Sequence, residues 1–242
     1  MPPLNVAVFI YPDADIMDFS GPVEVYSTRP SPGTPQLFTV KTFAHTSPVG
    51  GENSVLVYVP GTSFLDVEQN LEKYDILVVP GAHPDVLENY IPSEEGQQVL
   101  ALLQRFSKLP PRKEAGHRIL QSVCSGAVIL GAAGVLAGRT ATTHHICYDM
   151  LKDFADKAAG GDSGIKVVKK RWVDGGKTEE GVRIVNAGGV SSGIDASLWV
   201  TEMVGGEKAY KFVEEIMEFE RRGRARMGRY EGVRRRKRNR QH

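Results

Sequence analysis

Short runs rich in apolar residues, each cut off by turn residues, constrain this chain more than any other feature. Val6–Ile10 stops at Tyr11-Pro12-Asp13, Asp75–Val79 stops at Pro80-Gly81-Ala82, Arg118–Val123 stops at Cys124-Ser125-Gly126, and Arg183–Val185 leads into Asn186-Ala187-Gly188-Gly189. Runs this short, without polar alternation, suit strands buried on both faces, as in parallel sheets covered by helices. Helical spacing fills the intervals. Val99, Leu102, Leu103 and Phe106 form one stripe on a helix that Ser93 caps and Pro110-Pro111 stops. Further helices are predicted with Pro22 in a first turn and Val23 and Tyr26 on the packing face, over Ser125–Leu136, around Tyr148–Ala158, from Ile194, and through Tyr210, Val213 and Met217. Leu37–Ala44, Ser54–Val59, Thr140–Thr143 and Lys166–Val173 are predicted as strands. Strands alternating with helices give an α/β fold, a mostly parallel sheet sandwiched between helices with right-handed crossovers.

Composition narrows the class further. The chain has 242 residues, 41% hydrophobic and 24% charged, enough for one large packed domain or two small ones. Its 26 Gly and 14 Pro exclude collagen-like and low-complexity chains, and no apolar run approaches the ~18 residues of a membrane span. The start, Met-Pro-Pro-Leu-Asn, lacks the basic and apolar regions of a signal peptide. With only Cys124 and Cys147, reduced thiols and a cytoplasmic setting are expected. The net charge of +1 hides an asymmetry: from Arg221 onward there are ten Arg and one Lys against one Glu, net +10, which leaves residues 1–220 with 19 basic and 28 acidic residues, net −9. The expected division is therefore one domain over 1–220 and a basic, disordered tail over 221–242. The run Arg234–Arg238 also suits nonspecific polyanion contact or nuclear targeting.

Open α/β sheets place reactive groups beyond the carboxyl ends of their strands. Three segments meet that rule: the turn carrying Asp13, Asp15 and Asp18; Gly81-Ala82-His83; and Ser122-Val123-Cys124-Ser125-Gly126. A cysteine at a tight strand-to-helix turn projects its sulfur into the crevice near unpaired amides that favour thiolate, although burial as a small hydrophobe is the alternative. Cys147, inside a predicted helix, reads as core. His83, His144 and His145 have no spacing that ties them to Cys124, and polar packing is favoured for the last two. Met17, Phe19 and Tyr26 either line an apolar pocket or belong to the core. Gly131–Gly138 lacks the Gly-x-x-x-x-Gly-Lys-Ser/Thr of a phosphate loop.

Taken in order, Asp18-Phe19-Ser20-Gly21-Pro22, Val78-Val79-Pro80-Gly81, Ser122-Val123-Cys124-Ser125-Gly126-Ala127, Leu130–His144 and Gly188–Asp195 resemble the ThiJ/PfpI superfamily, and within it the isonitrile hydratase branch. The resemblance spans about residues 5–205. It implies a flavodoxin-like fold, a homodimer, Cys124 at a nucleophile elbow, Asp18 as the carboxyl group beside the sulfur, and Gly81 and Ala82 around developing negative charge. Gly189 and Val190, in the late glycine-rich turn, join Gly81, Ala82 and Ser125 as the implied substrate-binding residues. Ser125 replaces the branch's usual threonine, keeping a hydroxyl near the thiol; the peptidase-like members carry His there, so peptidase activity is disfavoured. The implied reaction is hydration of a small organic isonitrile to an N-substituted formamide, with no metal or cofactor. A cofactor-independent glyoxalase acting on methylglyoxal and a non-enzymatic thiol sensor or chaperone-like protein are the alternatives.

Overall fold

A computed structural model describes residues 2–31, 33–50 and 55–222. In chain order the elements are β1 (Leu4–Phe9), α1 (Ile16–Ser27), β2 (Phe38–Ala44), β3 (Thr62–Ser63), α2 (Phe64–Gln69), β4 (Ile76–Val79), α3 (Pro84–Tyr90), α4 (Glu94–Phe106), β5 (Ile119–Ser122) and α5 (Gly126–Ala132). They continue with β6 (Thr140–Ala141), α6 (Tyr148–Ala159), β7 (Lys166–Val167), β8 (Trp172–Lys177), β9 (Arg183–Ala187), α7 (Ser192–Gly205) and α8 (Glu207–Met217). Seven strands make one sheet in the order β3-β2-β1-β4-β5-β9-β8, parallel throughout except for β8, which runs antiparallel to β9. β6 and β7 form a separate parallel pair.

The apolar runs are central strands because both of their faces are covered. In β1, Ala7 and Phe9 join a core with Leu77, Phe106, Leu130 and Leu151, beneath α4, α5 and α6. Leu4, Val6 and Val8 point the other way, into a core with Tyr26, Val78, Ile119 and Leu198, beneath α1 and α7. Each fully buried Leu, Ile or Phe contributes roughly 1.5–3 kcal/mol over exposure. A buried polar string in this part of the core is satisfied: Tyr26 Oη donates to Gln121 Oε1 at 2.5 Å and Gln121 Nε2 to Ser197 Oγ at 2.9 Å, tying α1, β5 and α7 together.

Several expectations need correction. Pro22 is interior to α1, not in its first turn, because the helix begins at Ile16 with Asp15 as its N-cap residue. Ser54–Val59 forms no strand among its described residues; one bridge, Val49 to Tyr58, is its only ladder contact, and Val55 and Val59 are 87% and 80% exposed. Lys166–Val173 splits into β7 and the start of β8, which belong to different sheets. α5 is shorter than predicted and ends before Gly134, whose φ is 73°. Cys147 is the N-cap residue of α6 rather than a helix-interior one. The run Arg234–Arg238 and all of the tail beyond Arg222 lie outside the described residues.

Candidate active site

Four neighbouring strands, β1, β4, β5 and β9, end at the same edge of the sheet, and each delivers part of one site. After β5 the chain turns sharply, and Cys124 takes a left-handed backbone conformation with φ 56°. That geometry costs a non-glycine residue roughly 1–3 kcal/mol and is held only where its surroundings enforce it. Here Cys124 N donates to Gly188 O at 2.9 Å and Thr143 Oγ1 donates to Cys124 O at 2.9 Å. The sulfur thereby leaves the line of the strand and lies beside Asp15 and Asp18.

β1 supplies the acids. Asp15 precedes α1 but makes no cap bond with its side chain; instead its Oδ2 accepts from Cys124 Sγ at 3.9 Å. Asp18, in the first turn of α1, is wholly buried, and the carboxylates of Asp15 and Asp18 and the Cys124 sulfur all lie within 4.8 Å of one another. Gly81 N donates to Asp18 Oδ2 at 3.0 Å, while Asp18 Oδ1 has no hydrogen-bond partner. Burial, and then the Asp15 charge, push the Asp18 carboxyl up to about 7, against the opposing pull of the Gly81 amide and the Cys124 side chain. In the sequence Asp15 is only one of three acids in a turn, and an aspartate before a helix reads as an ordinary cap.

The resting sulfur differs from the expected thiolate. Cys124 is 3% exposed, and burial followed by the Asp18 charge drives its thiol well above the ordinary range. The backbone N–H groups of Val190 and Ser125 pull in the other direction and do not prevail. The group is therefore a thiol that donates its proton toward a carboxylate.

The loop after β4 also differs in role from the expectation. The Gly81 and Ala82 amides are both engaged, Gly81 with Asp18 and Ala82 with Ser125 Oγ at 2.9 Å, so neither is left over for a developing anion. The Ser125 hydroxyl donates to Ala82 O at 2.6 Å, bracing this loop rather than attending the sulfur. A Cβ at Gly81 would fall 2.3 Å from Ser125 Oγ and 2.6 Å from Ser125 N, so the brace requires glycine. The amides that do point at the sulfur come from Ser125 and from Val190 in the turn after β9. Val190 is itself left-handed, with φ 29°. Arg171 holds this turn: its carbonyl accepts from Gly188 N at 2.8 Å, Nη2 donates to Ser191 Oγ at 3.0 Å, and Nε pairs with buried Asp195.

Gly189 packs against the His144 ring, which lies tilted against His145 with centroids 4.3 Å apart and planes at 45°. Among the described residues no histidine joins the Asp15, Asp18 and Cys124 cluster. Phe19 and Tyr26 are buried core residues and Met17 is exposed, so none of the three lines the adjoining cavity. That cavity, of about 520 Å³, is walled instead by residues that include Tyr11, Asp15, Ile16, Tyr58 and His83. Cys147 is buried, with its thiol pushed up to about 11 mainly by burial, in keeping with a packing role.

A family model described as DJ-1/PfpI matches residues 5–178, which hold β1, β4 and the Cys124 elbow. The chain belongs to the DJ-1/PfpI family. Among characterised relatives, isonitrile hydratase of Pseudomonas putida is 27% identical over 216 residues, covering 89% of this chain and 78% of that protein. Among solved structures, a ThiJ/PfpI family protein from Pseudomonas syringae superposes with a TM-score of 0.69 at 23% identity, covering 94% of this chain and 80% of that one. Schizosaccharomyces pombe DJ-1 gives 0.65 at 16% identity, covering 90% of this chain and all of its own. These structures establish the flavodoxin-like DJ-1/PfpI fold. No helix among the described residues is long and apolar enough to cross a membrane.

Proposed function

We propose that this member of the DJ-1/PfpI family is a cysteine-dependent hydratase that converts small organic isonitriles to N-substituted formamides, without a metal or cofactor. The observation that carries the reading is a protonated thiol set 3.9 Å from one carboxylate and beside a second that binds its proton up to about pH 7. An isonitrile accepts a nucleophile and a proton at the same terminal carbon. A thiol flanked by a base and an acid supplies both, with no need for a free thiolate. The relative from Pseudomonas putida named as an isonitrile hydratase supports the same chemistry.

In the proposed cycle Cys124 Sγ attacks the terminal carbon, its proton passes to the Asp15 carboxylate, and protonated Asp18 delivers a proton to that carbon, giving a thioimidate. The Val190 and Ser125 amides steady the sulfur as its proton leaves. Water then adds to the carbon; Asp18 takes the water's proton, and Asp15 returns the thiol's proton to nitrogen. The C–S bond breaks as the carbonyl forms, the hydroxyl proton goes back to sulfur, and the formamide departs. Two lower barriers replace one difficult hydration.

The test is formamide formation from benzyl and cyclohexyl isonitriles, with methylglyoxal assayed in parallel. Cys124→Ala is expected to abolish turnover, and Asp18→Asn to retain the fold while slowing it about 10²–10⁴-fold, the usual worth of general acid–base assistance. Undiminished activity in Cys124→Ala, or lactate formed from methylglyoxal in place of formamide, would refute the reading. A peroxide-sensing thiol is less well served by this site, since oxidation follows thiolate character and burial beside two acids suppresses it. We further propose that the protein acts in the cytoplasm as a homodimer.

A further inference from the structure

The cavity beside the reactive cluster has a composition that the reaction itself does not require. Its wall includes apolar side chains, among them Ile16, Val55 and Leu56, and a Tyr58 hydroxyl buried without a hydrogen-bond partner. Its charged lining, among the described residues, is Asp13, Asp15 and Asp85, with His83 the one basic side chain and no Lys or Arg. His83 in turn lies 3.3 Å from Asp85. Asp15 belongs both to this wall and to the sulfur's surroundings, so the cavity adjoins Cys124 through a carboxylate. Behind Asp15 lies the buried Asp18, whose Oδ1 has no hydrogen-bond partner. The field of residues 1–220, net −9, has the same sign.

We propose that this cavity seats the substrate's side group and selects it by charge: apolar neutral and cationic electrophiles enter, and carboxylate-bearing ones are turned away. The hydratase reading supplies the identity of the electrophile; the charge preference stands on the cavity alone. A carboxylate about 7 Å from a unit charge in water changes the local concentration about threefold, so Asp15 alone separates a cation from an anion about sevenfold, and Asp13 and Asp85, net of their own partners, carry this beyond about tenfold.

The decisive measurement labels Cys124 in the full chain with methanethiosulfonates carrying ethyl, trimethylammonioethyl or sulfonatoethyl groups, with modification of Cys124 mapped by mass spectrometry and rates divided by those for 2-mercaptoethanol. The expected order is cationic, then neutral, then anionic, with a cationic-to-anionic ratio above tenfold that shrinks at 1 M NaCl, where the Debye length falls to about 3 Å. A folded Asp13→Asn, Asp85→Asn double variant should narrow the ratio at least threefold; asparagine also tolerates the left-handed φ of 60° at position 13. Equal normalised rates for the three reagents, no narrowing in the double variant, or no labelling of Cys124 at all would overturn the proposal. Turnover of benzyl isonitrile against isocyanoacetate and a tertiary-amine isonitrile separates the two ideas. Equal turnover of the three sinks charge selection and leaves the hydratase standing, whereas charge-ordered labelling without any formamide does the reverse.

Discussion

At the scale of single residues the site is a proton inventory. Asp18 must carry a proton to donate it, so turnover is expected to fall as pH rises through about 7, the region to which burial and the Asp15 charge have moved its carboxyl. Removing that charge with Asp15→Asn lowers the Asp18 value, and the falling limb should move to lower pH together with a drop in rate; a kcat–pH profile of the two proteins checks this. The same shift bears on stability with a definite sign. Because the folded state holds the Asp18 proton between about pH 4 and pH 7 and the unfolded state does not, stability is lost as pH rises through that window. Asp18→Asn should therefore flatten the pH dependence of urea unfolding and gain on wild type by a few kcal/mol at pH 8, at about 1.4 kcal/mol for each pH unit over which the folded state alone holds the proton. Much of this was legible beforehand: Cys124 and Asp18 stood out from strand-end position and motif. Asp15 did not, since nothing in a sequence tells whether a carboxylate before a helix turns back to its amides or away to a sulfur.

At the scale of elements, the strand-end loops are fitted to one another more tightly than the strands themselves require. Gly81→Ala would drive its methyl into Ser125, and Ser125→Ala would leave the Ala82 amide unpaired in a buried turn. The first should cost about 1–3 kcal/mol by overpacking and the second a similar amount by desolvation, each visible as a Tm lower by several degrees. Gly81→Ala should in addition weaken turnover, because it displaces the amide that holds Asp18. The central strands could be read from sequence because a doubly covered strand leaves an unbroken apolar run. Ser54–Val59 misleads for the opposite reason: strand propensity measures fit to a neighbouring pleated surface, and among the described residues no neighbour pairs with it beyond the Tyr58 bridge. Helices of six and seven residues, α2 and α3, are too short to display a period, and Pro22 was set at a helix start because proline is best tolerated there, although α1 carries it inside.

At the scale of the whole molecule, the first two residues of the basic run are held against the body. Arg221 pairs with Glu202 at 2.6 Å and its guanidinium lies 4.1 Å from the Tyr210 ring centre, while the Arg222 amide donates to buried Asp195 at 2.6 Å. Deleting 223–242 is expected to leave Tm and catalysis unchanged and to weaken binding to heparin. Deleting 221–242 should also lower Tm, because Asp195 loses a donor and the turn that Arg171 braces is loosened; calorimetry of the two truncations distinguishes them. The parallel topology has one last implication. The pieces that make the sulfur unusual come from Asp15 to Val190, so a nascent chain or a proteolytic fragment carries only an everyday cysteine, open to any alkylating agent. The raised thiol of Cys124 thus arrives late, when the final crossover docks, and the slowing of a single label's reaction can serve as a clock for completion of the fold.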